Sequence, residues 1–318
     1  MSPDALPSVS VVIATHGRAA LLVELLDALD AQTRADVEVL VVDDDSHDDT
    51  PEVLAERGTR SIRVARGGPA RARQVGWRAA TAPIIAFTDD DCVPTPGWLD
   101  ALVAPIERGD ADVVQGRTLP RPDQADRAGP WSRTQLVEAE NGFYQTCNIA
   151  YARSVLEALD GFHPSFVGPN TSGEDAELGW RAREAGYRTT FAEDALVHHA
   201  VWPSSYRAYL RDRRRWGMVI QVIRYHPQTR ALAHRRWFYR PSHLRVVAAL
   251  PVIVGAGIVR WWAPLALLVA LFAADLVRTR GRGPVRRRLL HLAQVLVVDV
   301  VEVAVFATSS VRYRTLLL

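Results

Sequence analysis

The first half of the chain alternates short apolar runs with longer segments that are apolar on one face only. Short apolar runs bounded by turn residues predict buried strands, and apolar residues spaced three and four apart predict helices. The predicted strands are 9–14, 37–42, 61–64, 84–88, 112–116, 147–151, 187–191 and 195–197. The predicted helices are 19–31, 50–57, 70–80, 98–106, 154–161 and 174–185. This alternation predicts an α/β fold with a mostly parallel sheet and helices on both faces.

The pattern changes twice in the second half. Residues 119–139 are rich in Pro and Asp, which predicts a surface excursion. Residues 204–225 are helical in pattern and basic, with arginines beside aromatic and aliphatic residues. Such a face suits a cytosolic membrane surface. We therefore predict a catalytic domain at 1–203, basic amphipathic interface helices at 204–243 and apolar helices at 244–318.

Three apolar runs occupy the C-terminal part, at 246–259, 263–277 and 289–308. The first is short for a bilayer, which needs roughly 20 residues. A hairpin within one leaflet and two tilted spans both fit the first two runs. The third contains Asp299 and Glu302, so it fits a bundle, an interfacial helix or a soluble helix. We expect these helices to be membrane-embedded; the alternative is an amphipathic helical cap on a soluble enzyme.

Composition narrows the class of protein. The 318 residues are 48% hydrophobic and 23% charged, which is typical of globular proteins. The net charge of +2 does not favour a nucleic-acid partner, and two cysteines form neither a disulfide framework nor a zinc motif. Residues 1–8 lack the features of a signal peptide, and the basic stretch 278–288 favours the cytoplasmic side. We therefore expect the catalytic domain in the cytosol, at the cytoplasmic face of the cell membrane.

Two acidic clusters follow two predicted strands. Asp89, Asp90 and Asp91 come directly after the run 84–87, and a second cluster at 43–45 follows the run 39–42. Three adjacent carboxylates repel one another, so such a cluster indicates a cation; a hard divalent ion is the simplest candidate. In an open α/β sheet both clusters would lie at the carboxyl edge, where ligands bind.

Other residues at this edge suggest a nucleotide ligand. Residues 14–18 end the first strand and either meet a base or form an ordinary turn. Asp43 and Asp44 can accept a uracil imide or bind a ribose hydroxyl; the alternative is helix capping and turn formation. Arg71 and Arg73 follow two glycines at the start of a helix, so they either face a diphosphate or are solvated.

Two further positions have acid–base or ligand character. Glu174 and Asp175 begin a helix after the glycine-bearing loop 168–173. They are either partners of the helix dipole or a general base for an acceptor hydroxyl. His198 and His199 point opposite ways on an extended chain, so one of them faces the site. Cys92 and Cys147 are interpreted as packed thiols.

Together these segments resemble the inverting glycosyltransferases of family 2, which have the GT-A fold. The resemblance runs from Val9 to about Trp216. It is carried by the segments 10–15, 41–46, 68–73, 87–91 and 173–175 and by His199.

The resemblance implies a role for each matching residue. An aspartate at the end of the second strand binds the nucleoside, and Asp44 is favoured over Asp43. The Asp-x-Asp motif maps to Asp89 and Asp91; Asp91 would be the direct ligand of Mn²⁺ or Mg²⁺, and His199 would complete the metal site. Asp175, beside Glu174, would be the base. The remaining donor-binding residues would be Ala14, Thr15, His16, Arg18, Arg71, Arg73, Asp89 and Asp90.

The resemblance also has a departure. Processive members carry Gln-x-x-Arg-Trp on the acceptor side, and here Asp212 replaces the Gln before Arg215 and Trp216. This favours single transfer from a nucleotide-sugar to a hydroxyl or phosphate acceptor, with a lipid-linked or cell-envelope glycan expected. The alternatives are a sugar-phosphate nucleotidyltransferase and a catalytically silent membrane scaffold.

Overall fold

The computed structural model describes residues 7–168, 172–259 and 285–317, with isolated positions between 260 and 284. The predicted apolar run 263–277, much of the basic stretch 278–288 and the centre of the loop 168–173 lie outside the described residues. The chain divides into two compact units, Met1–Ser204 and Ser205–Leu318, and each is described by itself.

The first unit contains one eight-stranded sheet in the order β3-β2-β1-β4-β7-β6-β8-β5. The strands β3, β2, β1 and β4 are parallel, β7 is antiparallel to β4 and β6, β8 is parallel to β6, and β5 is antiparallel to β8. The strands are β1 Val9–Thr15, β2 Val37–Asp43, β3 Arg60–Arg63, β4 Ile84–Asp89, β5 Cys92–Pro94, β6 Val113–Pro120, β7 Asn148–Ala152 and β8 Thr189–His199. The predicted mixed, mostly parallel sheet is confirmed.

Helices cover both faces of the sheet, because alternate strand residues point to opposite sides. Val11 and Ile13 pack with the leucines of α1 and with α4, whereas Val12 packs on the other face with Trp77 of α3. The helices of this unit are α1 Ala19–Asp30, α2 Thr50–Glu56, α3 Pro69–Ala79, α4 Trp98–Glu107, α5 Arg153–Leu159 and α6 Glu174–Glu184.

The structure differs from the predicted pattern around β5 and β8. The predicted strands 187–191 and 195–197 are one strand, β8, whose pairing with β6 shifts register between Gly116 and Arg117. The three residues of β5 are too few to show any periodicity, so their strand was not predicted. The pairing of β5 with β8 sets Cys92 opposite His199, next to the acidic cluster.

The polar excursion after β6 is held to the sheet at two points. Its backbone forms bridges from Thr118 to Val137 and from Arg133 to Trp202. A short 3₁₀ helix, Pro122–Arg127, lies at its start. The excursion therefore runs past the C-terminal end of β8 and remains part of the first unit.

The second unit is helical. Its helices are α7 Tyr206–Asp212, α8 Met218–Tyr225, α9 Pro241–Val259 and α10 Val285–Tyr313, with 3₁₀ helices at Arg213–Gly217 and Pro227–Leu232. Among the described helices, the segment Leu290–Tyr313 is long and apolar enough to cross a membrane, by length and composition.

The two acidic residues of α10 are buried within this unit. Glu302 accepts a hydrogen bond from His243 Nε2 at 3.0 Å and lies 3.5 Å from Arg213 Nη1, and Asp299 accepts one from Ser242 at 3.0 Å. The outward face of α10 is apolar and exposed at Leu290, Leu296, Val297 and Val300. The buried side of this helix therefore carries both acidic residues together with Val298 and Phe306, whereas its exposed side is apolar at these four positions.

Candidate active site

The strand register brings the predicted site residues to one edge of the sheet. Ala14 of β1 lies between Val42 of β2 and Asp89 of β4, and Thr15 lies opposite Asp43. The carboxyl ends of three parallel strands therefore meet where the two acidic clusters begin.

The first acidic cluster is bonded to the loop that precedes α3. The two carboxylate oxygens of Asp44 accept the backbone N–H groups of Gly67 and Gly68 at 2.7 and 2.8 Å. Asp43 accepts the backbone N–H of Ser46 at 2.8 Å and lies 3.3 Å from an Arg63 nitrogen. Asp44 thus fixes the glycine loop to the end of β2. Which of the two aspartates contacts a nucleoside stays a prediction.

His16 and Arg71 also contact this loop region. His16 Nδ1 lies 2.8 Å from the carbonyl oxygen of Asp44, and Arg71 donates to the carbonyl oxygen of Ala65 at 3.0 Å. Both side chains hold the backbone that surrounds the glycines.

The second acidic cluster carries three carboxylates against two arginines. Arg73 donates to Asp89 at 2.5 Å. Arg18 donates to Asp90 at 2.8 Å and, with the same nitrogen, to Asp91 at 3.1 Å. Two guanidinium groups therefore face the three carboxylates of this cluster, and Asp91 shares its arginine with Asp90.

The carboxyl groups of Asp89 and Asp90 have pKa values shifted in opposite directions. Burial works against the charge of Asp89, but Arg73 and then His199 hold its pKa below the usual range. Burial is the main cause that raises the pKa of Asp90 to about 6; Arg18 opposes it and Asp91 adds to it. Asp89 is thus an ionised partner of Arg73, whereas Asp90 titrates close to neutral pH.

Asp91 and His199 form the part of the site that fits a metal ion. His199 Nε2 lies 3.4 Å from Oδ1 of Asp91. Within the part of the chain that the structure describes, this buried oxygen makes no hydrogen bond. A buried carboxylate oxygen beside an imidazole nitrogen is a donor pair suited to Mn²⁺ or Mg²⁺.

Cys92 lies in the same group of possible ligands, with its ligand atom within 4.8 Å of those of Asp91 and His199. Burial, and then the hydrogen bond with Cys147, raises the pKa of its thiol well above the usual value. A neutral thiol is a poor ligand for a hard cation. Cys92 is therefore a packed thiol, as its sequence context indicates.

His198 points away from this pair, as the alternation along a strand requires. Burial lowers its pKa, and its charged neighbours are Asp123 and Arg121. The histidine brought to Asp91 is His199.

Asp175, the second residue of α6, has a strongly shifted pKa. Burial, and then the charge of Glu174, raise its pKa to about 7, against the backbone N–H of Ala176 and the charge of Arg73. Ala176 donates to Asp175 Oδ1 at 2.9 Å. A carboxyl group with this pKa can accept a proton at neutral pH, which is what a general base requires.

Arg73 joins the acidic cluster to this helix. Its buried guanidinium lies 3.5 Å from Glu174 Oε1 and bonds Asp89 on its other side. The sequence prediction placed Arg73 at a donor diphosphate. The structure instead shows it engaged with two carboxylates of the protein, since its buried guanidinium lies between Asp89 and Glu174. Arg73 thus links Asp89 to Glu174, the residue before Asp175.

Arg215 and Trp216 lie in the second unit. Trp216 packs edge-to-face on Tyr239 at 5.3 Å between ring centroids, and Arg213 lies 4.5 Å above its ring. Arg215 lies 3.8 Å from Asp212, the residue that replaces the glutamine of the Gln-x-x-Arg-Trp motif.

Sequence reasoning missed Trp202. Its indole N–H donates to Asp91 Oδ2 at 2.8 Å. Trp202 lies three residues beyond His199 and belongs to no motif. Its closeness in sequence to the two histidines was the one feature that could have indicated a place in the site.

An open sheet of this topology, with aspartates at the carboxyl ends of its parallel strands, defines the class: a GT-A-type α/β fold. The family model for glycosyl transferase family 2 matches residues 10–162. Glycosyltransferase AglE of Haloferax volcanii is 31% identical over 212 residues, which cover 62% of this chain and 68% of AglE. The chain belongs to glycosyl transferase family 2, and the predicted family is confirmed.

Other relatives match over shorter stretches. The pre-mycofactocin glycosyltransferase of Mycobacterium tuberculosis is 32% identical over 161 residues, covering 46% of this chain and 32% of that protein. An uncharacterized glycosyltransferase of Nostoc sp., alr2836, is 29% identical over 177 residues, covering 49% of this chain and 54% of its own length. The chain therefore spans about half of one relative and a third of the other.

Solved structures share the fold. The mannosyltransferase PcManGT from Pyrobaculum calidifontis, in complex with GDP-Man and Mn²⁺, has a TM-score of 0.61 and 23% identity, covering 95% of this chain and 88% of its own. Residues 1–349 of TarS from S. aureus, in complex with UDP-GlcNAc, have a TM-score of 0.55 and 16% identity, covering 96% and 91%. The predicted GT-A fold is confirmed.

Proposed function

We propose that this glycosyltransferase is metal-dependent and inverting, and that it moves a sugar from a nucleotide-sugar donor to a hydroxyl or phosphate acceptor by single transfer. The observation that carries the proposal concerns Asp91, His199 and Asp175: Asp91 and His199 form a pair beside Asp89, and Arg73 joins Asp89 to Glu174, the residue before Asp175. The first two supply ligands for a cation, and the third supplies a base.

Donor binding is assigned to the strand ends. The nucleoside would lie against Ala14, Thr15 and His16, near Asp43 and Asp44, whose strands are adjacent. Arg18 is exposed above Asp90 and Asp91, where a diphosphate can reach it. PcManGT and TarS are structural neighbours that bind GDP-Man and UDP-GlcNAc, which supports a nucleotide-sugar as the donor class.

Metal binding is assigned to Asp91 and His199, with Asp89 nearby. A bound Mn²⁺ or Mg²⁺ ion would neutralise charge on the nucleoside diphosphate as it leaves. The orphaned Oδ1 of Asp91, within the described chain, supports this assignment. The Mn²⁺ in the PcManGT complex supports the choice of ion.

Asp175 is assigned as the base, and burial together with the charge of Glu174 beside it raises its pKa. Its carboxylate would take the proton of an acceptor hydroxyl as the oxygen attacks the anomeric carbon from the face opposite the leaving group. Attack from that face inverts the configuration. The pKa of about 7 supports this role, because a base works best when its pKa lies near the working pH.

The acceptor is assigned to a membrane. Residues 205–318 contain 20 of the 38 arginines and only 4 of the 36 acidic residues. Together with the exposed apolar face of α10, this charge fits an anionic lipid surface at the cytoplasmic face. A lipid-linked or cell-envelope glycan is then the proposed acceptor, with Arg215 and Trp216 on the acceptor side.

The test is a donor panel. Purified protein is incubated with UDP-, GDP- and dTDP-sugars in Mn²⁺, with and without EDTA, and nucleoside diphosphate release is measured. We expect release from at least one donor, loss of release in EDTA and in Asp91→Ala, and an inverted anomeric centre by NMR when an acceptor is supplied. A folded protein that releases nothing would support the silent scaffold, and nucleoside triphosphate formed from pyrophosphate would support a nucleotidyltransferase.

A further inference from the structure

Trp202 contacts the metal-binding end of the site through its ring nitrogen. The indole N–H donates to Asp91 Oδ2 at 2.8 Å, and Arg18 donates to the same oxygen at 3.1 Å. Arg18 also lies over the Trp202 ring, 4.9 Å from its centroid. Trp202 therefore contacts both the Asp91 carboxylate and the Arg18 guanidinium that is bonded to the same carboxylate.

These contacts make the two oxygens of Asp91 unequal. Oδ2 receives two charge-assisted or polar donors, whereas Oδ1 faces His199 Nε2 at 3.4 Å and makes no hydrogen bond among the described residues. An oxygen that already accepts two hydrogen bonds is a weaker cation ligand than one that accepts none. The hydrogen bonds also fix the rotation of the carboxylate, as outer partners of metal ligands commonly do.

We propose that Trp202 is a positioning residue for the metal site: its N–H holds Asp91 so that Oδ1 is presented, together with His199, to a divalent cation. The proposal rests on the proposed function, because it takes Asp91 as the metal ligand. Trp202 itself binds neither the cation nor the donor.

The backbone of Trp202 is held independently of its side chain. Its N–H and carbonyl oxygen both bond to Arg133, at 2.9 Å each. Removing the indole N–H therefore leaves the end of β8 bridged to the excursion. This separates the effect on Asp91 from an effect on the fold.

The test compares Trp202→Phe with Trp202→His in the full chain. Phe keeps an aromatic ring and loses the N–H; His is smaller and more polar but keeps a ring N–H. If Trp202 acts only through packing, Trp202→Phe should bind Mn²⁺ more tightly than Trp202→His. If it positions Asp91, Trp202→His should bind Mn²⁺ more tightly than Trp202→Phe. The matched control is Trp237→Phe, at a half-exposed tryptophan of the second unit.

Mn²⁺ alone is titrated, and free Mn²⁺ is followed by electron paramagnetic resonance. We expect Trp202→Phe to weaken Mn²⁺ binding about 10- to 100-fold, the usual effect of losing an outer partner of a ligand. The Mn²⁺ affinity of Trp202→His is expected to lie closer to that of the wild type, and the affinity of Trp237→Phe to equal it. Thermal unfolding without metal is expected to be similar in all folded variants.

Different results would overturn different parts of the proposal. Wild-type affinity in Trp202→Phe, or tighter binding in Phe than in His, would overturn the positioning role and leave the metal assignment standing. Absence of Mn²⁺ binding by the wild type would overturn the metal assignment and the positioning role together. If Trp202→Phe does not fold, binding by Trp202→His decides: affinity near that of the wild type supports the role, and a loss as large as that of Asp91→Ala overturns it.

Discussion

At the scale of single residues, the aspartates of the site are distinguished by their partners. Asp44 accepts two backbone N–H groups and acts as a clamp for the glycine loop. Against burial, Arg73 holds the pKa of Asp89 below its usual range, whereas burial raises the pKa of Asp90 to about 6 and that of Asp175 to about 7. Aspartate thus binds backbone N–H groups at one position and an arginine at another, and it is proposed as a base at a third, according to burial and neighbouring charge.

The pH dependence of turnover is expected to follow Asp175. The base acts as a carboxylate, and burial with the Glu174 charge raises its pKa to about 7. kcat/KM should therefore fall about tenfold per pH unit below that value and level off above it. Asp175→Asn should lower kcat by about 10²- to 10⁴-fold while donor binding, measured by calorimetry, is retained.

The control for this experiment is Glu184→Gln, which changes an exposed carboxyl group at the other end of α6. It should keep both the pH profile and the rate. A turnover in Asp175→Asn within tenfold of the wild type would remove Asp175 from the role of base.

At the scale of elements, α3 is positioned by its close contact with the sheet. A Cβ atom at Gly76 would lie 2.4 Å from a methyl group of Val12 on β1 and 3.1 Å from one of Val42 on β2. The glycine lets the helix approach, and the same helix carries Arg73 one turn earlier. The contact of α3 with β1 therefore determines where Arg73 meets Asp89 and Glu174.

Gly76→Ala is expected to destabilise the protein by about 1–3 kcal/mol, because overpacking costs more than the roughly 1 kcal/mol that alanine adds to a helix. Urea unfolding measures the change. Gly129→Ala is the control, since no described atom lies within 4 Å of a Cβ atom there, and it should change stability by less than about 0.5 kcal/mol. A stabilised Gly76→Ala would show that the helix does not need this close approach.

At the scale of the whole molecule, charge is divided unequally along the chain. Residues 1–204 hold 32 of the 36 acidic residues, whereas residues 205–318 hold 20 of the 38 arginines. The near-neutral total of +2 hides this separation. An acidic catalytic unit and a basic helical unit fit an enzyme whose second part contacts anionic lipid.

Binding to vesicles tests this arrangement. The protein should co-sediment with phosphatidylglycerol vesicles more than with phosphatidylcholine vesicles, and binding should weaken in 1 M salt, where the screening length falls to about 3 Å. The paired substitutions Leu296→Asp and Val300→Asp, on the exposed face of α10, should reduce binding at low salt. Leu136→Asp places one such charge on an exposed leucine of the first unit and should leave binding unchanged.

Absence of the protein from the phosphatidylglycerol pellet at low salt would contradict the membrane assignment. Equal loss of binding in Leu136→Asp would show that the effect is one of net charge, not of the α10 face.

Much of the first unit could be predicted from the sequence. The strand Val9–Thr15 and the helix Ala19–Asp30 lie within one residue of their predicted bounds, because their periodicity and turn residues are local. The strand Cys92–Pro94 could not be predicted, since three residues show no pattern and its partner is about 105 residues away. At the candidate site, both acidic clusters and His199 lie at one edge of the sheet, as the predicted strand ends indicate, but Trp202 and the inward direction of Arg73 were not foreseen.

The sequence by itself determined the class of fold, the family and the residue types available at the carboxyl edge, because these depend on short-range spacing and on adjacent motifs. Only the tertiary structure decided which arginine neutralises which aspartate, which oxygen of Asp91 stays without a hydrogen bond in the described chain, and which histidine faces it. Such pairings depend on the register of strands far apart in the sequence and on the packing distance of α3. A change of one residue in register turns a side chain to the other face of the sheet without altering any local pattern.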